Sequence, residues 1–296
     1  MISKKNQLLF TIASIVTIAS IMIVDLLGVN QQFVMAAEKQ IVYFGSYYQE
    51  EVTDKNYISR LKKVDFVNDK ATVEGIDFAR KNGHYYYSTP IEWEVLEQDD
   101  DNYLLISKKI LDYHTFTDFW HKSDMKLWLN EEFFNIAFSS EEKLSMKSIT
   151  QTTMYHPYED AYIDRKEPQY IETSDYVTLL DENDVQKIAY GYDNGKEEAE
   201  SRVAYGSAYA NLDEKSDRWW LRGSAVWNYG NLQEKYITSK GAFSSWYGTY
   251  SYGVRPVVKV KKSAVSTIKP NTNYKFSLFD YDAEKEAINA LPDLTN

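Results

Sequence analysis

The sequence predicts an α+β fold on three observations: a hairpin legible in residues 91–107, a helix with cap and apolar stripe from Ser123 to Ala137, and strand-like runs at Arg218–Arg222 and Val254–Val260. The composition is that of a chain that folds. Of 296 residues 44% are hydrophobic and 15% aromatic, with 25 Tyr and 7 Trp, far from the low-hydrophobicity signature of disorder.

The chain opens on a leader. Lys4 and Lys5 precede an apolar run from Leu8 to Val24, and small residues follow at Ala36 and Ala37. A charged start, an apolar middle and a small-residue end mark a secretory signal peptide, cut after Ala36 or Ala37. The run also reaches the lower limit for spanning a bilayer, roughly 17 residues, so an uncleaved anchor is the rival reading and the one route by which this chain would meet a membrane. Asp25 ends the run, and Val34-x-Ala36 and Met35-x-Ala37 suit a signal peptidase. Residues 1–37 are read as signal peptide, 38–262 as one globular domain with a charged insertion at 50–90, and 263–296 as linker and polar tail. An exported chain with no cysteine has no disulfides and relies on packing. That combination points to a secreted or surface-held protein of a bacterium, Gram-positive in type.

The whole chain carries a net charge of −11, and loss of the leader's two lysines and one aspartate makes it −12. A surface of that sign repels phosphate backbones, so no nucleic acid is expected as partner. Excess acid also keeps an exported protein soluble.

The elements follow in order. Ile41–Tyr47 reads as a strand, Asn56–Val64 as a helix and Lys70–Phe78 as a small strand pair. Ile91–Glu97 and Tyr103–Ser107 flank the turn cluster Gln98-Asp-Asp-Asp-Asn102 and form a hairpin. Its three aspartates lack EF-hand spacing and the glycine such a loop needs, so they are a solvated turn. Ser123 caps a helix whose Met125, Trp128, Leu129, Phe133, Ile136 and Ala137 recur at helical spacing. Ser139 and Glu142 write a capping box for a second helix running through Met146. Thr150–Thr173 lacks periodicity, holds Pro157 and Pro168, and reads as a long loop. Tyr176–Leu180 is a strand, Asp181 and Asp184 start a short helix, and Lys196–Tyr209 is read as helical.

The strings Ile41-Val-Tyr-Phe-Gly-Ser-Tyr47, Pro90-Ile-Glu-Trp-Glu-Val-Leu96, Leu104-Leu-Ile-Ser107, Ile110-Leu-Asp112, Trp128-Leu-Asn130, Ala137-Phe138, Trp219-Trp-Leu-Arg222 and Gly253-Val-Arg-Pro256 together resemble the bacterial domain family DUF6273, which has no established chemistry. One departure is visible: the family pattern after Trp-Trp-Leu-Arg runs Ser-Pro, and here it runs Gly223-Ser224. Leu221-Arg-Gly-Ser224, followed by a Gly-x-Arg, is also similar to the formylglycine-generating enzyme group. That second resemblance implies a C-type-lectin-like domain, with small antiparallel sheets and two flanking helices.

Enzymes of the formylglycine-generating kind work through redox-active cysteines, and this chain has none. Metal ligation as in the related sulfoxide synthases needs three histidines. Here His114 and His121, near Asp112 and Asp118, lack the i, i+4 spacing of a helical pair and read better as a loop feeding the Ser123 helix. No metal and no cofactor are therefore expected. No Gly-x-Ser-x-Gly elbow is present. Glu92 and Glu94 share a strand face, read as solvated, and catalytic carboxylate pairs cannot be picked from so many acids.

The remaining signal is aromatic. Trp219, Trp220, Arg222, Gly253 and Arg255 are expected to be structural, with apolar strand runs in the core and Arg255 as a buried cation. Trp227, Tyr229, Trp246, Tyr247 and Tyr250 lie in a segment rich in Gly and Ser and are the expected ligand-binding set, because loops on a rigid scaffold carry binding residues. The expectation is a secreted or surface-associated module that recognises an extracellular glycan or protein through this loop. The alternative is a cell-envelope hydrolase using paired carboxylates.

Overall fold

The computed structural model describes residues 39–155, 168–210, 216–226 and 232–270. The leader and most of the polar tail lie outside these. Among the described residues no helix is long and apolar enough to cross a membrane.

The fold is mixed α+β and rich in sheet. Its first half is β1 (Ile41–Glu51), α1 (Lys55–Leu61), β2 (Lys70–Val73), β3 (Ile76–Lys81), β4 (His84–Gln98) and β5 (Asn102–Ser107). β4 is the spine: β1 pairs along one side, while β3 and then β5 pair in succession along the other. The hairpin expected at Gln98–Asn102 is present, and the Asp99 carboxylate ties its tip by accepting from the backbone N–H of Asp101 and Asn102. Trp93 on β4 is fully buried and donates its indole N–H to the carbonyl of Phe44 at 2.7 Å. That carbonyl is free because β1 bulges between Tyr43 and Ser46. Gly45 makes the bulge at φ +63°, where a Cβ would strike the carbonyl of Ala137 and the ring of Phe138.

β6 (Asp112–His114) leads to the helical segment. Ser123 caps α2 (Asp124–Trp128) through Lys126 N–H, and the chain continues through a π turn at Leu129–Phe133 into α3 (Phe134–Ala137). Met125, Leu129, Phe133 and Ala137 are its buried face. The capping box at Ser139 and Glu142 starts α4 (Ser140–Lys143), a single turn. The second oxygen of Glu142 accepts Gly45 N–H at 2.9 Å, so the cap also locks the bulge. The helix stops short of Met146, which begins β7 (Met146–Lys147).

Of the long loop expected from Thr150 to Thr173, the described residues instead pair as β8 (Ile149–Tyr155) and β9 (Gln169–Asp175), while 156–167 lie outside the described residues. Their alternation was invisible because the buried positions are polar: Gln151, Thr153 and Asp175 face in. β10 (Val177–Thr178) follows. The helix expected over Lys196–Tyr209 is absent; a single 3-10 turn at Glu200–Arg202 takes its place. Arg202 is fully buried and donates to the carbonyls of Gly241, Asp193, Lys196 and Glu197, holding the segment as coil. The last strands are β11 (Trp219–Val226), β12 (Leu232–Ile237), β13 (Phe243–Trp246), β14 (Tyr252–Val254) and β15 (Val257–Lys261).

These strands form an eight-stranded sheet ordered β10-β15-β5-β4-β3-β2 with β1 and β7 alongside, a five-stranded sheet β13-β12-β11-β14-β6, and the β8-β9 pair. Past β15 the chain pairs once more, Ser266 exchanging both backbone hydrogen bonds with Tyr43. Glu92 and Glu94 are not simply solvated: each is about one-fifth exposed, Glu92 paired with Lys108 at 2.8 Å and Glu94 with Lys39 at 3.0 Å.

A buried polar network joins the three sheets. The Arg222 guanidinium donates to Gln151 Oε1 at 2.7 Å, to the Leu179 carbonyl and to Asp181. Gln151 Nε2 donates to Asp175, which also accepts from Trp120 and Thr173 and pairs with Lys126. Replacing Gln151 by Leu leaves Arg222 and Asp175 short of a buried partner, which costs about 3 kcal/mol. The urea midpoint of Gln151→Leu is expected to fall accordingly, and an unchanged midpoint would remove the network from the fold's energetics.

Candidate functional site

β13 ends on Trp246 and β14 begins on Tyr252, so the loop between them crosses from the edge strand of the five-stranded sheet, past β12 and β11, to β14. Trp246, Tyr247 and Tyr250 are 42%, 40% and 53% exposed. Trp246 meets Tyr247 edge-on at 5.4 Å and 67°, and Tyr250 at 6.2 Å and 61°. Tyr250 leads on to Tyr252 at 6.5 Å, and Tyr252 to Trp220 at 4.5 Å, a ladder of rings running from surface to core.

The loop is held in place by hydrogen bonds and by one close backbone approach. Tyr250 N–H donates to the Tyr247 carbonyl and closes a turn. Phe116 N–H donates to the carbonyl of Gly248 at 2.8 Å, and a Cβ at Gly248 would lie 1.7 Å from the Phe116 carbonyl, so only glycine permits this approach. Ser245 Oγ donates to Gln233 one strand inward. Rigid rings on a pinned loop lose little entropy on binding.

Trp227 and Tyr229 lie outside the described residues. Trp219 and Trp220 are fully buried and donate their indole N–H groups to the carbonyls of Arg202 and His114. Arg255 is 2% exposed, lies 4.9 Å from the Trp219 ring centre and donates to the Ser107 carbonyl. Gly253 donates its N–H to the Arg218 carbonyl, and Arg222 stands in the buried network described above. These five are core groups, and of them Trp220 reaches the exposed rings through Tyr252. His114 donates Nδ1–H to the Thr115 carbonyl and stacks on Trp128 at 4.8 Å. Among the described residues no three His, Asp or Glu side chains gather as a metal would require.

One buried acid lies at the foot of the exposed loop. Glu234 on β12 is 1% exposed, pairs across the strands with Trp246 and accepts from Ser224 Oγ at 2.5 Å. Desolvation pushes its pKa up to about 9, the charges of Asp118 and Asp124 push the same way, and the Ser224 hydrogen bond opposes them. Its carboxyl is therefore neutral at pH 7. Sealed from solvent, it reaches no substrate. Its place was partly readable, since Glu234 and Tyr236 share the buried face of β12 at a spacing of two.

The family model described as Domain of unknown function (DUF6273) matches residues 100–262, more than half of the chain, and the chain belongs to that family. The matched span takes in β5 to β15 and the exposed ring loop; the strings at Ile41–Tyr47 and Pro90–Leu96 lie ahead of it. No curated protein and no solved structure matches the chain.

Glu234 makes stability depend on pH. The unfolded carboxyl releases its proton near 4.5 and the folded one near 9, so in between the folded state binds the extra proton. Stability therefore falls as pH rises through that window, by at most about 3 kcal/mol at pH 7. Glu234→Gln removes the titration: its melting temperature is expected to exceed that of the parent at pH 8 and to approach it at pH 4.5. Parallel melting curves across the window would contradict a protonated buried Glu234.

Proposed function

We propose that this member of the DUF6273 family is an exported module that binds an extracellular glycan on the rings of Trp246, Tyr247 and Tyr250. The single observation carrying this reading is the exposed, pre-formed ring cluster. Large aromatic side chains standing free of the core, with polar Ser and Gln groups beside them, suit the apolar face and hydroxyl edge of a sugar. Their planes meet at 61° to 67°, so the cluster is angular and fits one sugar ring or a single chain rather than a flat polysaccharide surface. Three rings are also small against the roughly 800 Å² that a stable protein interface buries on each partner.

The leader read at residues 1–37 supports delivery of this site to the outside of a cell, and the acidic charge keeps the module soluble there. The C-type-lectin-like reading of the fold is part of the same proposal and rests on Leu221-Arg-Gly-Ser224 and Gly253-Val-Arg255. Hydrolysis gains no support at this loop, because the one carboxyl there that keeps its proton, Glu234, is enclosed.

Retention of the exported chain on a glycan array or on isolated envelope polysaccharide tests the reading. Trp246→Ala and Tyr250→Ala are each expected to weaken binding about tenfold, the effect of losing an anchor worth on the order of 1–2 kcal/mol, with unchanged far-ultraviolet spectra. Equal retention by the double variant, or capture of protein alone, would overturn it.

A further inference from the structure

A second concavity lies where two tight turns meet β6 and the π turn. In the first turn Asn68 and Asp69 have φ of 49° and 59°; in the second Asn82 and Gly83 have φ of 53° and 84°. Paired left-handed residues are the pattern of type I′ turns. Val67 and Lys70 exchange both backbone hydrogen bonds, and Arg80 N–H donates to the Asp69 carbonyl at 2.8 Å, so the two turns are tied together. They rim a cavity of about 640 Å³, within the range of small-ligand sites.

Its lining is charged yet balanced. Lys70 pairs with Glu132 at 2.6 Å, Arg80 with Asp69 at 2.9 Å and Lys81 with Asp112 at 3.4 Å. Asp112 is fixed further by Tyr47, whose hydroxyl donates to it at 2.7 Å, and by Tyr113 N–H. Lys81 also donates to the Tyr209 carbonyl and sits 4.4 Å from the centre of that ring. Burial first, then the charges of Asp112, Glu132 and Asp69 along with the nearby Tyr48, hold the Tyr209 phenol far above its ordinary pKa, so it stays protonated.

Every cation here already has its anion, so a phosphate or a carboxylate ligand would have to displace one. A hydroxyl need not. It donates to a carboxylate and accepts from an ammonium or guanidinium at once, leaving the ion pair in place. We propose that this cleft, lined by Lys81, Asp112, Glu132 and Tyr209, binds an uncharged polyhydroxylated ligand, a sugar ring, separately from the ring cluster at Trp246. Both carboxylates are engaged by protein donors, so the site holds its ligand rather than cleaving it.

Isothermal titration of the whole chain with maltotriose, cellotriose and chitotriose, and separately with inorganic phosphate and glycine, tests this. One of the trisaccharides is expected to bind, and neither phosphate nor glycine. Lys81→Met and Asp112→Asn are expected to weaken that binding at least about fivefold. Glu132→Gln, at a far more exposed position than Asp112, serves if Asp112→Asn disturbs folding, and the same loss is expected of it. Binding by none of the three sugars, preference for phosphate or glycine, or release of reducing ends would each overturn the proposal. So would sugar binding that Trp246→Ala abolishes and Glu132→Gln leaves intact, because that ligand sits on the ring cluster.

Discussion

The Arg222 guanidinium, the Gln151 amide and the Asp175 carboxylate form a chain of buried hydrogen bonds on which the arrangement of the sheets depends. Arg222 belongs to β11 in the five-stranded sheet, Gln151 and Asp175 to the β8-β9 hairpin, and Thr178, which also donates to Gln151, to the eight-stranded sheet. In a low-dielectric interior each such group is costly if left alone and strongly directional when paired. Apolar packing tolerates sliding; these bonds do not. They fix β11, β11 carries Trp220, and Trp220 anchors the ladder of rings that ends at Tyr250.

What was legible in the sequence was what neighbouring residues decide among themselves. The Ser123 cap, the Ser139–Glu142 box and the Gln98–Asn102 turn each close within a few residues, so their signals survive without knowledge of the fold. The β8-β9 hairpin was not legible because its inward side chains are polar and several of their partners, Arg222, Trp120, Lys126 and Thr178, are distant along the chain. Lys196–Tyr209 misled for a similar reason, since a stretch short of apolar periodicity is shaped by one buried arginine. The turns at Asn68-Asp69 and Asn82-Gly83 carried a strong local signal that a charged stretch obscured. For the site, Gly and Ser content placed Tyr247 and Tyr250 on a loop but missed that Ser244, Ser245 and Trp246 belong to β13, and the neutral state of Glu234 depends on neighbours that only the folded chain supplies.

The family span and the physical unit differ in extent. Residues 100–262 begin just after β4, yet β4 pairs with three other strands and carries Trp93 and Ile91 into the core. The shared span is thus completed by β1 to β4, and those earlier strands also bring Lys70, Arg80 and Lys81 to the second cleft. The two candidate sites accordingly draw on different parts of the chain: the ring loop lies wholly inside the family span, while the cleft straddles its boundary.

The pairing of Tyr43 with Ser266 closes the unit like a clasp. The two residues pair antiparallel, so the segments entering and leaving the fold run side by side there. On the entering side Gln40 accepts Val95 N–H and Ile41 pairs with Glu94, so tension applied through the flanking segments would load β4 together with the Tyr43–Ser266 bonds and be shared between two strands.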